Sequence, residues 1–298
     1  MLEPMIGEND VGARWPVVGE LPAIQRAAVM LVVVLLVLHA IPYGTLLLYP
    51  MKLAGVFIHE AGHGVAAMAT GGEVLDFRVG WRGDGGSRVV GGSGLPVALA
   101  GYLANLVVGV LVVWVAGRKS RATNVLLAVG VLVLAATIGL PMGQEPTVPL
   151  VGLGLGGALV GLGRYYDRTG RSGAKVTFGG VLAIIGAVLY AGMFGSFATL
   201  FLGLAVGGTL IGLAALASPG VARILAVVSG LGWCLAPLHE VKPLLFGPLY
   251  GGYGHSDTAA IAQQAGLSIA LGALIWLSVA LTALLAAIGG LRDEPEEA

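Results

Sequence analysis

Long apolar runs separated by short polar clusters dominate this chain. Segments of roughly 17 to 24 mostly apolar residues recur along it, each long enough as a helix to cross a hydrocarbon core of about 30 Å. Helices are expected over residues 27–48, 53–70, 95–116, 124–141, 148–163, 176–192, 197–217, 221–238 and 267–290. The expected fold is an all-α polytopic membrane protein with eight or nine transmembrane helices. Pro42 interrupts the first run and predicts a bend there. One stretch departs from this pattern. Leu75, Phe77, Val79 and Trp81 alternate with Asp76, Arg78, Gly80 and Arg82, and a Gly-Asp-Gly-Gly turn leads into Ser87–Val90. A period of two predicts a small β-hairpin, with an amphipathic surface loop as the competing reading.

The connections between runs are too short to hold a separate folded module. One transmembrane domain is therefore expected over residues 26–290, flanked by a polar N-terminal segment, 1–25, and an acidic tail, 291–298. The N-terminal segment carries Glu3, Glu8, Asp10 and Glu20, unlike the short basic region of a cleaved signal peptide, so it is expected to be retained.

Composition narrows the function. The chain is 57% hydrophobic and only 11% charged, with zero net charge and a mean hydropathy of +0.91. No charged block points to nucleic acid, and no nucleotide motif appears, so lipid and peptide are the expected partners. The single cysteine, Cys234, excludes an intrachain disulfide and suits packing. Of the 50 glycines, Gly152, Gly156 and Gly157, with Gly161, recur at four-residue spacing with no strand before them. This suits close helix approach rather than a dinucleotide fold. Trp114, Trp233 and Trp276 are expected at bilayer interfaces. Basic residues in several loops cannot share one side if every run crosses, so the orientation stays open.

The chemistry is concentrated in Phe57-Ile58-His59-Glu60-Ala61-Gly62-His63-Gly64. His59 and His63 are four residues apart, so they share one face of a helix and can share one metal ion. Neutral imidazole suits Zn²⁺, and Glu60 is placed to deprotonate water beside it. A glutamate at the centre of a spanning helix costs about 2.5–3.5 kcal/mol and persists there only when a partner, a cavity or a function offsets that cost. The competing reading is a buried polar network of the same three residues. A hydrolytic zinc site needs a third protein ligand. The polar segment 239–257 offers His239, Glu240, His255 and Asp257, and spacing alone does not choose among them. Ser256 or Asp257 also suits a helix cap near Thr258. His39, in the first run, is a weaker candidate.

The His-Glu-Ala-Gly-His helix is followed by Thr70-Gly71-Gly72, the hairpin-like stretch and Ala100-Gly101-Tyr102-Leu103-Ala104-Asn105. Together these resemble the core of the site-2 protease family. With Ser256-Asp257 near the C-terminus they resemble its compact bacterial branch more closely. The resemblance covers residues 50–115 and 250–275. It implies a zinc-dependent intramembrane endopeptidase of the bacterial cytoplasmic membrane, with His59, His63 and Asp257 as metal ligands and Glu60 as the catalytic base. It also implies that Asn105 lies near the substrate backbone. The hairpin carrying Leu75, Phe77 and Val79 would present an edge to an extended substrate. The chain departs from better-known members in lacking an Asp-Gly pair after a proline-containing helix segment, and in lacking a peptide-binding insert. Two rival classes are a transporter or metal-ion carrier, which internal symmetry would betray, and an inactive scaffold, which would tolerate loss of Glu60.

Overall fold

The computed structural model describes residues 21–291 except 42, 141–146, 170–172, 194–196 and 239–256. His239, Glu240, His255 and Ser256 thus lie outside the described residues, as do most of the N-terminal segment and the acidic tail.

The chain enters through α1 (Ala23–Ala40). Helix α1 ends just before Pro42, and a short turn, α2 (Gly44–Leu47), follows behind the left-handed Tyr43. The expected bend is thus a full break, because proline removes a backbone donor and clashes with the preceding turn. Helix α3 (Tyr49–Ala69) carries the His-Glu pair and begins with Pro50 in its first turn, where the missing N–H costs nothing.

The alternating stretch does form a hairpin, with β1 (Glu73–Val79) antiparallel to β2 (Gly85–Val90). A bulge between Val74 and Asp76 shifts the register, and Asp76 pairs across to Arg88. Both ends of the hairpin are tied down. At its base the Thr70 hydroxyl donates to Ala66 O and accepts from Ser93 N–H, bringing the two strand ends together. Gly72 there lies so close to the Gly91 and Gly92 backbone that a Cβ would sit 2.8 Å from Gly92 N. At its tip the Tyr49 hydroxyl donates to Trp81 O, and Lys52 Nζ donates to Arg82 O at 3.3 Å. The buried Thr199 hydroxyl accepts from Val79 N–H at 2.9 Å.

Helix α4 (Gly94–Ala116) returns alongside α3, followed by α5 (Ala122–Gly139), α6 (Thr147–Arg168), α7 (Ala174–Met193), α8 (Phe197–Leu216) and α9 (Pro219–Cys234). The short α10 (Asp257–Gln264) and the long α11 (Ile269–Gly289) complete the described chain. One apolar core joins α3, the hairpin, α5, α8 and α9, and a second joins α1, α4, α9 and α11. Helices α3 and α4 run together between them.

Among the described residues, five helices are long and apolar enough to cross a membrane: α1, α4, α5, most of α8, and α11. This is fewer than the eight or nine expected. The apolar stretches Gly154–Gly163, Ala174–Gly186 and Pro219–Cys234 are shorter, and α3 spends Lys52, His59, Glu60 and His63 on polar positions. The outward faces of these helices carry many exposed large apolar side chains, as lipid-facing surfaces do.

Two sequence readings change in detail. In the glycine stripe of α6, Gly156 lies against the Gly180 backbone of α7, but Gly157 and Gly161 face open space. Trp233 and Trp276, expected at bilayer interfaces, are buried within the protein. Trp233 donates to Met51 O, and Trp276 stacks at an angle on Tyr102. Trp114 alone of the three is exposed, with its indole N–H donating to Ala286 O. Cys234 is buried against Gly109, as packing requires.

Candidate metal and peptidase site

One turn of α3 presents His59 and His63 on the same face, with Glu60 beside them. Glu60 and His63 are each only 7% exposed, so both polar groups are held away from bulk solvent. The first residue of α10 meets them from almost two hundred positions along the chain. Asp257 Oδ2 lies 2.8 Å from His59 Nε2 and 3.2 Å from His63 Nε2, and the two imidazole nitrogens are 3.1 Å apart. The structure thus brings Asp257 to the histidine pair, while His239, Glu240 and His255 remain outside the described residues.

The orientation of His63 follows from its other nitrogen. Nδ1 sits 2.7 Å from Val97 O in α4, so the N–H points to that carbonyl and Nε2 offers a lone pair to the cluster. His59 is held on edge by the His63 ring and by Tyr102, both at 4.8 Å between centroids. Two ring nitrogens and a carboxylate oxygen converging within 4.8 Å form the described group of side chains suited to a metal ion. This N,N,O donor set fits Zn²⁺. Lone pairs aimed at one another repel unless a cation lies among them.

Space has been reserved at this point by a glycine. A Cβ on Gly101 of α4 would stand 2.6 Å from His59 Nε2 and as close to His63 Nε2. Parting the helices to admit it would break the close packing of Gly62 in α3 against Ala100 O, where a Cβ would come within 2.6 Å. Replacing Gly101 by alanine should therefore lower the zinc bound per chain at least tenfold while the purified protein keeps its helical circular dichroism. Full zinc content in Gly101→Ala would show that the site lies elsewhere.

The hairpin covers the site. Gly85 of β2 lies so close to Glu60 that a Cβ would meet its carboxylate, and the Ser87 hydroxyl donates to Glu60 O at 3.0 Å. A cavity of about 810 Å³ opens here, bordered by His59, Glu60, His63 and Asp257 and by the Gly83–Ser87 stretch. Asn105 also reaches it. This side chain is 3% exposed, and its amide oxygen is buried without a hydrogen-bond partner. His39 lines the same cavity, with Nδ1 2.6 Å from Leu35 O on its own helix.

Phe77 and Val79 sit elsewhere. Both are fully buried in the core, Phe77 against Phe57, and Leu75 is half-buried. None of the three borders the cavity; the strand that does is β2, through Gly85, Gly86, Ser87 and Val89. The alternation located the hairpin but could not say which strand faces the site. The sequence reading also passed over Val97 and Ser87. Backbone partners of this kind leave no signature in residue identity.

A helical membrane protein whose His-Glu-x-x-His helix meets a distant carboxylate in a covered cavity is of the membrane metallopeptidase class. The chain matches the family model described as Peptidase M50B-like over residues 27–191, and it belongs to that family. The matched region includes the histidine pair, the hairpin and Asn105, and it ends well before Asp257. No curated protein and no solved structure matches the chain.

Proposed function

We propose that this protein is a zinc-dependent endopeptidase that hydrolyses a peptide bond in or near a transmembrane segment of its substrate. The observation that carries this reading is the convergence of His59, His63 and Asp257 beside the buried carboxylate of Glu60. His59 Nε2, His63 Nε2 and Asp257 Oδ2 would hold the zinc, which when bound supplies a Lewis acid that polarises a carbonyl and acidifies water.

The chain's own groups do the rest. Glu60 takes a proton from the attacking water at its carboxylate and hands it to the departing amide nitrogen. Val97 O keeps the His63 ring turned so that Nε2 faces the site. The unpartnered Asn105 oxygen suits a backbone N–H of the substrate. A substrate helix must unwind first, since its carbonyls are already hydrogen-bonded. Strand β2 pairs with β1 on one side only among the described strands, and its other edge offers an extended segment somewhere to pair.

The same reading treats residues 26–290 as one catalytic domain, with α3, α6, α7 and α9 crossing as well to give eight or nine spans, and it places the protein in a bacterial cytoplasmic membrane. Its partners are lipid and a membrane-embedded peptide substrate, without nucleotide or nucleic acid.

The test is metal content and cleavage by purified full-length protein, using a reporter with a transmembrane segment. About one zinc per chain is expected, with cleavage lost on chelation and restored by zinc. Absence of zinc, or cleavage indifferent to chelator, would overturn the reading.

A further inference from the structure

Among the described residues that line the cavity, Lys52 is the one lysine or arginine. It is half-buried. Its ammonium makes a hydrogen bond to Arg82 O at 3.3 Å, and the ion pairs among the described residues do not include it. Asp84 borders the same cavity, but its carboxylate folds back over Gly80, where a Cβ would stand 2.6 Å from Oδ1. The hydrogen bond of this ammonium is solvent-exposed, so an anion entering the cavity can reach it. Clamping the hairpin does not call for a charge, because the Tyr49 hydroxyl already holds the neighbouring carbonyl of Trp81.

The position of Lys52 relative to the site is readable in two ways. Along α3 it precedes Glu60 by eight residues, about 12 Å at 1.5 Å per residue. Along the hairpin the two side chains meet the same glycine segment. A Cβ on Gly83 would lie 3.1 Å from Lys52 Nζ, whereas one on Gly85, two residues on, would meet the Glu60 carboxylate. Gly83 is buried and has φ +67, so a side chain there would be strained and would crowd the ammonium. An extended peptide rising about 3.4 Å per residue covers the interval in about two to four residues.

We propose that Lys52 determines specificity: its ammonium recognises an aspartate or glutamate side chain of the substrate within about four residues of the bond that is cut. This rests on the endopeptidase reading above. The cavity, an ammonium that makes no ion pair among the described residues and the spacing from Glu60 together define an anion subsite at the hairpin-tip end of the groove. Gln264, against Gly94, marks another part of the wall and is uncharged.

The experiment uses full-length enzyme in zwitterionic detergent and a neutral transmembrane reporter. Single Asp residues are placed at each of four positions on either side of the cleaved bond, with Asn at the same positions as controls. Wild type should prefer Asp over Asn at one position by about tenfold or more in kcat/KM. The preference should vanish in Lys52→Gln. Lys52→Glu should instead prefer a reporter carrying Lys at that position, an inversion that a merely structural lysine would not produce. Equal cleavage of the Asp and Asn reporters by wild type overturns the subsite, as does a preference that survives Lys52→Gln. Failure of the underlying reading looks different: no reporter, neutral or acidic, is cut by zinc-loaded wild type.

Discussion

Glu60→Gln should bind zinc as wild type does and cleave its reporter about 10²–10⁴-fold more slowly, the usual range for removing a general acid–base group. Glutamine keeps the size and much of the polarity of the side chain but cannot take a proton from water at neutral pH. The side chain is 7% exposed and lies against Gly85, so little room exists for solvent to replace it. The two nitrogens proposed to hold the zinc belong to His59 and His63, which this change leaves in place. Zinc analysis beside a cleavage time course checks both halves. Near-wild-type cleavage by Glu60→Gln would remove Glu60 from the mechanism.

Asp257→Asn should lose more than about 100-fold in zinc affinity, beyond the 10–100-fold typical of disturbing groups behind a metal's ligands. The choice of asparagine matters. Asp257 opens α10, and both Asp and Asn serve well at a helix start, so the helix should survive while the anionic donor disappears. Loss of zinc in Asp257→Asn with α10 intact then points to ligation rather than capping. If Asp257→Asn keeps its zinc and His255→Ala, His239→Ala or Glu240→Gln loses it, the third donor is that residue instead.

The local features were legible because local chemistry dictates them. The four-residue spacing of His59 and His63 fixes a shared helix face whatever surrounds it. Alternation from Leu75 to Trp81 specified strand geometry, and the Gly83–Gly86 run marked its turn. Pro42 marked the break after α1. The resemblance to site-2 proteases rested on these same short stretches and agrees with the family match over residues 27–191.

Less legible were features that depend on partners far along the chain. Phe77 and Val79 have the same alternating pattern whether the outward strand is β1 or β2. Burial against Phe57, and the Thr199 bond to Val79, put β1 in the core and left β2 on the cavity. Trp233 and Trp276 have a composition suited to an interface, yet Met51 O and Tyr102 receive them inside the protein. Span counting is open to the same effect: hydropathy records length and apolarity, and among the described residues five helices meet both, while the apolar stretches of α6, α7 and α9 are shorter.

Residue order by itself determined that this chain has membrane-length apolar helices, a histidine pair on one helix face with a glutamate beside it, and a hairpin, since each rests on periodicity within a few turns. Only the tertiary structure joined Asp257 to that pair, across a sequence separation of 194 from His63. It also left space beside both histidines at Gly101 and placed Lys52 and β2 residues along one cavity. Such contacts depend on how helices pack, and packing is set by the shape of every surface they share rather than by any one segment.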